Sequence, residues 1–173
     1  KGSTFWFVLP LNEPSRATQS SPTLGPNVRI LVSDDNETHR RVLERHLQHA
    51  GYPVTTCGSG AESLLLLQGA ATSQDAFDIV LVDDRLTDMA AAQLSRAGRA
   101  DARLASTRFV LLSSVDNRTS VGDLHAAGFS AYLSKPVRIA DLLQCVSRVM
   151  NEPAMPLGAP TPAQGAPAQG GPA

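Results

Sequence analysis
Between Val28 and Met150 the chain alternates between two hydrophobic patterns. One is a short unbroken apolar run, as in VRILVS (28–33), FDIVLVD (77–83) and RFVLLSS (108–114). A parallel strand covered on both faces reads this way, because neither row of side chains meets water. The other is a longer segment with apolar residues three and four apart. In ETHRRVLERHLQHAG (37–51) these are Val42, Leu43, Leu47 and Ala50, and Gly51 stands where a helix stop belongs. PVTTC and SAYLS add two short strands, and GAESLLLLQGA, MAAAQLSRAGRA, SVGDLHAAG and IADLLQCVSRVM add four helices. Strands alternating with helices predict an α/β fold: a doubly wound, five-stranded parallel sheet with helices on both faces. Ligands of such sheets bind beyond the carboxyl ends of the strands.

Composition changes at both ends of this unit. KGSTFWFVLP (1–10) is dense in aromatics and reads as one strand, and residues 11–27 read as a linker. From 151 the chain is NEPAMPLGAPTPAQGAPAQGGPA, too poor in large apolar residues to offset the entropy of ordering, so 151–173 is expected to be disordered linker.

Charge is nearly balanced, with 15 Lys+Arg against 16 Asp+Glu. No basic field for nucleic acid and no polybasic patch for direct membrane contact is expected from that balance. The longest aliphatic run, Leu64–Leu67, is far shorter than a membrane span of about 20 residues, and no secretory signal is read at the start. Cys57 and Cys145 form no CxxC, which suits a reducing cytoplasm. His39, His46, His49 and His125 have no cysteines spaced to join them, so they read as solvated helix histidines and no zinc centre is expected.

Polar residues collect where the apolar runs stop. Asp34 and Asp35 follow the first run, Asp83 ends the FDIVLVD run and precedes Asp84, Ser113 and Ser114 end the next, and Lys135–Pro136 follows the last. Each has an ordinary explanation: Asp35 could cap the next helix, Ser113 could bond locally, Lys135 could be a surface charge. Four such residues at successive strand ends are harder to explain singly. A parallel sheet brings those ends to one edge, giving a pocket of carboxylates, a hydroxyl and an ammonium.

ILVSDDN, IVLVDDRLTDM, VLLSS and AYLSKPV, spaced 113 − 83 = 30 and 135 − 83 = 52, together resemble the receiver domain of two-component response regulators over about Asn27 to Met150. The resemblance implies the strand order 2-1-3-4-5 of flavodoxin-like receivers. It implies that Asp83 is the phosphoacceptor. It implies that Asp34 and Asp35 hold Mg2+ with Asp83 and the backbone carbonyl of Arg85, Asp35 being the more direct ligand of the pair. Ser113 would bind the phosphoryl group, Lys135 would pair with it, and Tyr132 would be the aromatic switch. The Lys135–Pro136 peptide would be cis. The residue types suit the chemistry, since Mg2+ takes oxygen ligands and phosphoryl transfer needs a nucleophile and neutralised charge.

The loop after Asp83 departs from the family's usual Met-Pro-x-Met-Asp-Gly: it reads LTDMAA, with Thr87 for the proline and Ala90-Ala91 for Asp-Gly. Arg85 stands two residues past Asp83, where the resemblance implies that side chains tune phosphoryl lifetime. GSTFWFVLP resembles the last strand of a histidine kinase ATP-binding domain. The chain is therefore expected to come from a hybrid histidine kinase. Expected partners are the kinase domains of the same polypeptide and a histidine phosphotransfer domain or second receiver, in the cytoplasm beside a kinase that could be membrane-anchored. The alternatives are a non-phosphorylated docking or ligand-sensing receiver, and a stand-alone DNA-binding regulator, for which a basic output domain is missing.

Overall fold
The computed structural model describes residues 27–73, 75–114 and 121–151. The strand expected over 1–10, the linker up to Pro26 and the tail beyond Asn151 lie outside the described residues. In chain order the elements are β1 (Ile30–Ser33), α1 (Glu37–His49), β2 (Val54–Cys57), α2 (Gly60–Ala71), β3 (Ile79–Asp83), α3 (Ala91–Ala100), a 3-10 turn (Ala102–Leu104), β4 (Arg108–Ser114), α4 (Val121–Ala126), β5 (Ala131–Lys135) and α5 (Ile139–Asn151). The strands form one parallel sheet in the order β2-β1-β3-β4-β5. This is the expected doubly wound architecture.

The apolar runs are unbroken because each strand feeds two cores. Ile30 and Val32 of β1, Ile79 and Leu81 of β3, and Val110 and Leu112 of β4 pack with Leu43 and Leu47 of α1 and Leu142, Val146 and Val149 of α5. Leu31, Val80, Val82, Phe109 and Leu111 alternate with them and pack with Leu67 of α2, Leu94 of α3 and Leu124 of α4. The period-two alternation of strand side chains makes this division.

α1 shows how sequence sets an element's limits. The Asn36 side chain accepts from the backbone N–H groups of Thr38 and His39, satisfying two donors that no helical carbonyl reaches. At the other end Gly51 has φ +90, its N–H donates to the Gln48 carbonyl, and the Tyr52 N–H donates to Leu47. This is a Schellman stop, closed by Tyr52 packing into the same core as Leu47. The buried face is narrower than the sequence suggests. Leu43 and Leu47 are buried, whereas Val42 is 49% exposed and Ala50 is exposed. Val42 lies one residue, about 100°, off the Leu43–Leu47 line, and Ala50 has already left the helix.

α3 lies so close to β4 that a Cβ on Gly98 would sit 2.3 Å from Cζ of Phe109, which is fully buried. Gly98→Ala is expected to cost about 1–3 kcal/mol through overpacking. Gly69 of α2 has nothing within 4 Å of a built Cβ, so Gly69→Ala is expected to add about 0.5–1 kcal/mol. Urea midpoints for the two variants should move in opposite directions. Equal movement would remove the packing explanation for Gly98.

No helix among the described residues is long and apolar enough to cross a membrane.

Candidate functional site at the carboxyl edge of the sheet
The register fixes which polar residues meet. Asp83 pairs with Leu112, Ser113 with Ser134, and Ser114 with Lys135. Asp34 leaves β1 and is fully buried; Asp83 is 3% exposed. Two buried carboxylates cost free energy unless cations or donors compensate them. Lys135 does so here. Its Nζ lies 2.6 Å from Asp83 Oδ1 and 3.7 Å from Asp34 Oδ2. The Lys135–Pro136 peptide is cis, as the resemblance implies.

Backbone donors hold both carboxylates in place. The Asn36 N–H donates to Asp34 Oδ1 at 2.8 Å, and the Arg85 N–H donates to Asp83 Oδ1 at 3.2 Å. The Arg40 guanidinium donates to the Asp34 carbonyl, tying α1 to the end of β1. Among the described residues both contacts of Asp83 fall on Oδ1, which leaves Oδ2 free to react. Asp34 Oδ2 is buried and accepts no hydrogen bond.

Asp35, the next residue, is exposed, while Asp34 turns inward. One oxygen of Asp34, one of Asp83 and a ring nitrogen of His39 lie within 4.8 Å of one another. His39 Nδ1 is 3.7 Å from Asp34 Oδ2. His39 is therefore not merely one more solvated helix histidine, although its side chain is 54% exposed. The first turn of α1 starts directly above the end of β1, so a residue five positions past Asp34 returns to it. That spacing is the signal in the sequence.

Ser113 meets a different partner. Its hydroxyl donates to Asp84 Oδ2 at 3.2 Å or to the Ser114 carbonyl at 3.3 Å, and the Ser114 N–H donates to Asp84 Oδ2 at 2.9 Å. Asp84 thus clamps the end of β4, while its Oδ1 is buried without a hydrogen bond. Sequence reasoning assigned Asp84 no role. Tyr132 faces out from the edge strand β5 and is 46% exposed.

The departures in the loop after Asp83 have a structural counterpart. Asp88 accepts from the backbone N–H groups of Gly60 and Ala61 at 2.9 and 2.8 Å, and Ser59 accepts from Glu62. The first three N–H groups of α2 are thereby satisfied, two of them by this loop. Leu86 of the loop is buried and Met89 packs at Gly60. At α3 the residue before the helix is Ala90, whose side chain cannot accept; its N–H donates to Gln93 Oε1 instead.

Hydrogen bonds from Ala61 and then Gly60 hold the Asp88 carboxyl below its ordinary range. A carboxylate with a depressed folded pKa stabilises the fold above its unfolded value, 3.8, and loses that contribution as pH falls through the folded value. Asp88→Ala is expected to cost about 1 kcal/mol at pH 7. The difference from wild type should shrink below pH 3.8. Urea midpoints measured down to acid pH check this, and a pH-independent difference would mean that Asp88 does not act through its charge.

A fully buried carboxylate oxygen without a donor, opposite a second carboxylate, fits a cation with oxygen ligands. An ammonium beside them fits an anion bound against that cation. The arrangement suits a cation and an anion held together at the carboxyl edge of a doubly wound sheet. Comparison with known proteins agrees: the response regulator receiver domain family matches residues 30–147, and the chain belongs to that family. Two-component response regulator ARR11 of Arabidopsis thaliana is 36% identical over 118 residues, covering 66% of this chain and 21% of its own length. Sensory/regulatory protein RpfC of Xanthomonas campestris is 29% identical over 178 positions, covering 84% of this chain and 24% of its own length. The chain thus spans only a fifth to a quarter of these relatives. Among solved structures, chemotaxis response regulator CheY4 of Vibrio cholerae is 27% identical, with a TM-score of 0.63 over 70% of this chain and 98% of that one. The receiver domain of sensor histidine kinase PA1611 from Pseudomonas aeruginosa, which carries magnesium in its active-site cleft, is 25% identical, with a TM-score of 0.62 over 73% of this chain and 99% of that one.

Proposed function
We propose that this chain is the receiver module of a hybrid histidine kinase phosphorelay, and that Asp83 accepts a phosphoryl group from a phosphohistidine with Mg2+ in the cleft. The observation that carries this reading is Asp83 itself: a buried carboxylate at a strand end, one oxygen held by Lys135 and the Arg85 N–H, the other without a contact among the described residues. Asp34, Asp35 and Asp83 would hold the ion, with the Arg85 backbone carbonyl as a further ligand. When bound, Mg2+ supplies charge neutralisation on the transferred group.

In the transfer, Asp83 Oδ2 forms the P–O bond as the donor's P–N bond breaks. The bonding pair stays on the donor imidazole nitrogen, which takes a proton from solvent. Lys135 neutralises charge on the phosphoryl oxygens, and Ser113 donates to one of them once it leaves Asp84. The product is an acyl phosphate.

The wider setting rests on the relatives. The match to RpfC covers 84% of this chain, beyond the 66% shared with ARR11. On this reading residues 1–10 are the end of a kinase ATP-binding domain, 11–27 linker, 28–150 the receiver and 151–173 a Pro/Ala/Gly-rich linker. The partners are then the kinase domains of the same polypeptide and a histidine phosphotransfer domain or second receiver, all in the cytoplasm.

The test is incubation with a small phosphodonor and Mg2+, read by intact mass. One added phosphoryl group, lost when the metal is chelated beforehand, supports the reading. No added mass in Mg2+, with the protein folded, overturns it.

A further inference from the structure
Two adjacent arginines of α1 have different surroundings. Arg41 is exposed and pairs with Glu37, one turn before it, at 2.7 Å. Arg40 is half-buried and pairs with no carboxylate among the described residues. A guanidinium withdrawn from water without a counter-ion costs free energy, which its hydrogen bonds and packing must offset. We infer that Arg40 is a positioning residue for the cation of the cleft, a role that rests on the receiver reading and deepens it.

Three observations carry it. The Arg40 guanidinium donates to the backbone carbonyl of Asp34, six residues back. The same group rests on Gly58, between β2 and α2, where a built Cβ would lie 3.3 Å from Nη1 and 3.6 Å from Cζ. The Asp34 N–H donates to the Cys57 carbonyl at 3.2 Å, so both backbone groups of Asp34 are tied toward β2. A peptide unit is planar, so holding the Asp34 carbonyl also sets the direction of the Asp35 N–H. Rotation of that one peptide would swing the Asp35 carboxylate relative to that of Asp34. The bond that prevents it is charge-assisted, and the planar fork that makes it also lies against Gly58, which a lysine ammonium would not reproduce.

Charge and position predict opposite results. A guanidinium near the cleft repels Mg2+, so by charge alone its loss would tighten ion binding. By position, its loss frees the Asp34–Asp35 peptide and weakens ion binding. Groups that orient metal ligands are worth about 10–100-fold in affinity, whereas a charge beside solvent is screened. Position should therefore win.

The test is titration of the full chain with Mg2+ by calorimetry, with urea midpoints measured alongside. Arg40→Gln is expected to weaken Mg2+ binding about tenfold, and Arg40→Lys, which keeps the charge without the fork, to weaken it as well. Phosphoryl uptake at saturating Mg2+ should stay within about twofold of wild type, because Asp83 and Lys135 are untouched. The loss then falls on the Mg2+ concentration needed and not on the limiting rate. Gly58→Ala, whose methyl crowds the guanidinium, should weaken Mg2+ binding about threefold in the wild type and no further in Arg40→Gln. Unchanged or tighter Mg2+ binding by folded Arg40→Gln overturns the role, as does an equal effect of Gly58→Ala in both backgrounds. The milder variants carry the test where Arg40→Gln does not fold: wild-type Mg2+ affinity in both Arg40→Lys and Gly58→Ala overturns it too. The two readings fail separately. Phosphoryl uptake by the wild type with undiminished Mg2+ binding in Arg40→Gln keeps the receiver and removes the role of Arg40. Weakened Mg2+ binding in Arg40→Gln with no uptake by the wild type does the reverse.

Discussion

Asp83→Asn is expected to take up no phosphoryl group from a small donor in Mg2+, a loss of at least about a thousandfold, or roughly 4 kcal/mol in the barrier. The amide copies the shape of the carboxylate but is a poor nucleophile. It can still accept from the Arg85 N–H, so the end of β3 keeps its geometry. Lys135 keeps Asp34 as a partner. The variant should therefore stay folded, and its failure should be chemical. Lys135→Met tests the other half of the site. The ammonium 2.6 Å from Asp83 Oδ1 would meet the charge that builds on the transferred group, so its removal should slow uptake by about 10²–10³-fold without abolishing it. Intact mass after timed incubation separates the cases. Persistent labelling of Asp83→Asn would place the acceptor elsewhere, with Asp84 and Asp34 the first residues to examine.

Much of this was legible in sequence for a physical reason. A parallel sheet must bury both faces of its central strands, so β1, β3 and β4 appear as apolar runs. Its topology must bring their carboxyl ends together, so the sequence alone gathers Asp34, Asp83, Ser113 and Lys135. The edge strand β2 left a weaker trace, because Val54, Thr55 and Thr56 are only half-buried. What sequence could not give was the direction of side chains beyond the strand ends. Asp34 and Asp35 are chemically identical neighbours, and only the path of the turn decides that the first is buried and the second exposed. His39 was lost among the helix histidines because its relation to Asp34 depends on where the first turn of α1 begins. Asp84 and Asp88 make their contacts across 29 and 28 residues, through strand register and loop shape that no local pattern records.

Removing the Ser113 hydroxyl is expected to uncouple the cleft from Tyr132 while leaving Asp83 able to accept phosphate. The starting point is the clamp at the end of β4. In the absence of a phosphoryl group the Ser113 hydroxyl can donate to Asp84, and the Ser114 N–H donates to the same oxygen. A phosphoryl group on Asp83 brings three strong acceptor oxygens and competes for that hydroxyl. The competition is close, because both acceptors are anionic. If Ser113 turns to the phosphoryl group, the β4 end shifts and space opens beside β5, where the Tyr132 ring now stands 46% exposed. A ligand moves such an equilibrium only by its differential affinity for the two states, and the hydroxyl supplies that difference. Ser113→Ala should then show a smaller shift of the amides around Tyr132 on saturation with a beryllofluoride phosphoryl mimic. Asp84→Asn should act in the opposite sense. Replacing a charged acceptor by a neutral one weakens the clamp by about 1 kcal/mol, so the shifted state gains roughly fivefold in population before any mimic is added. Amide spectra of the three proteins, with and without the mimic, decide the matter. Equal saturating shifts around Tyr132 in wild type and Ser113→Ala would mean that the hydroxyl is not the link. An Asp84→Asn spectrum identical to unliganded wild type would mean that the clamp restrains nothing.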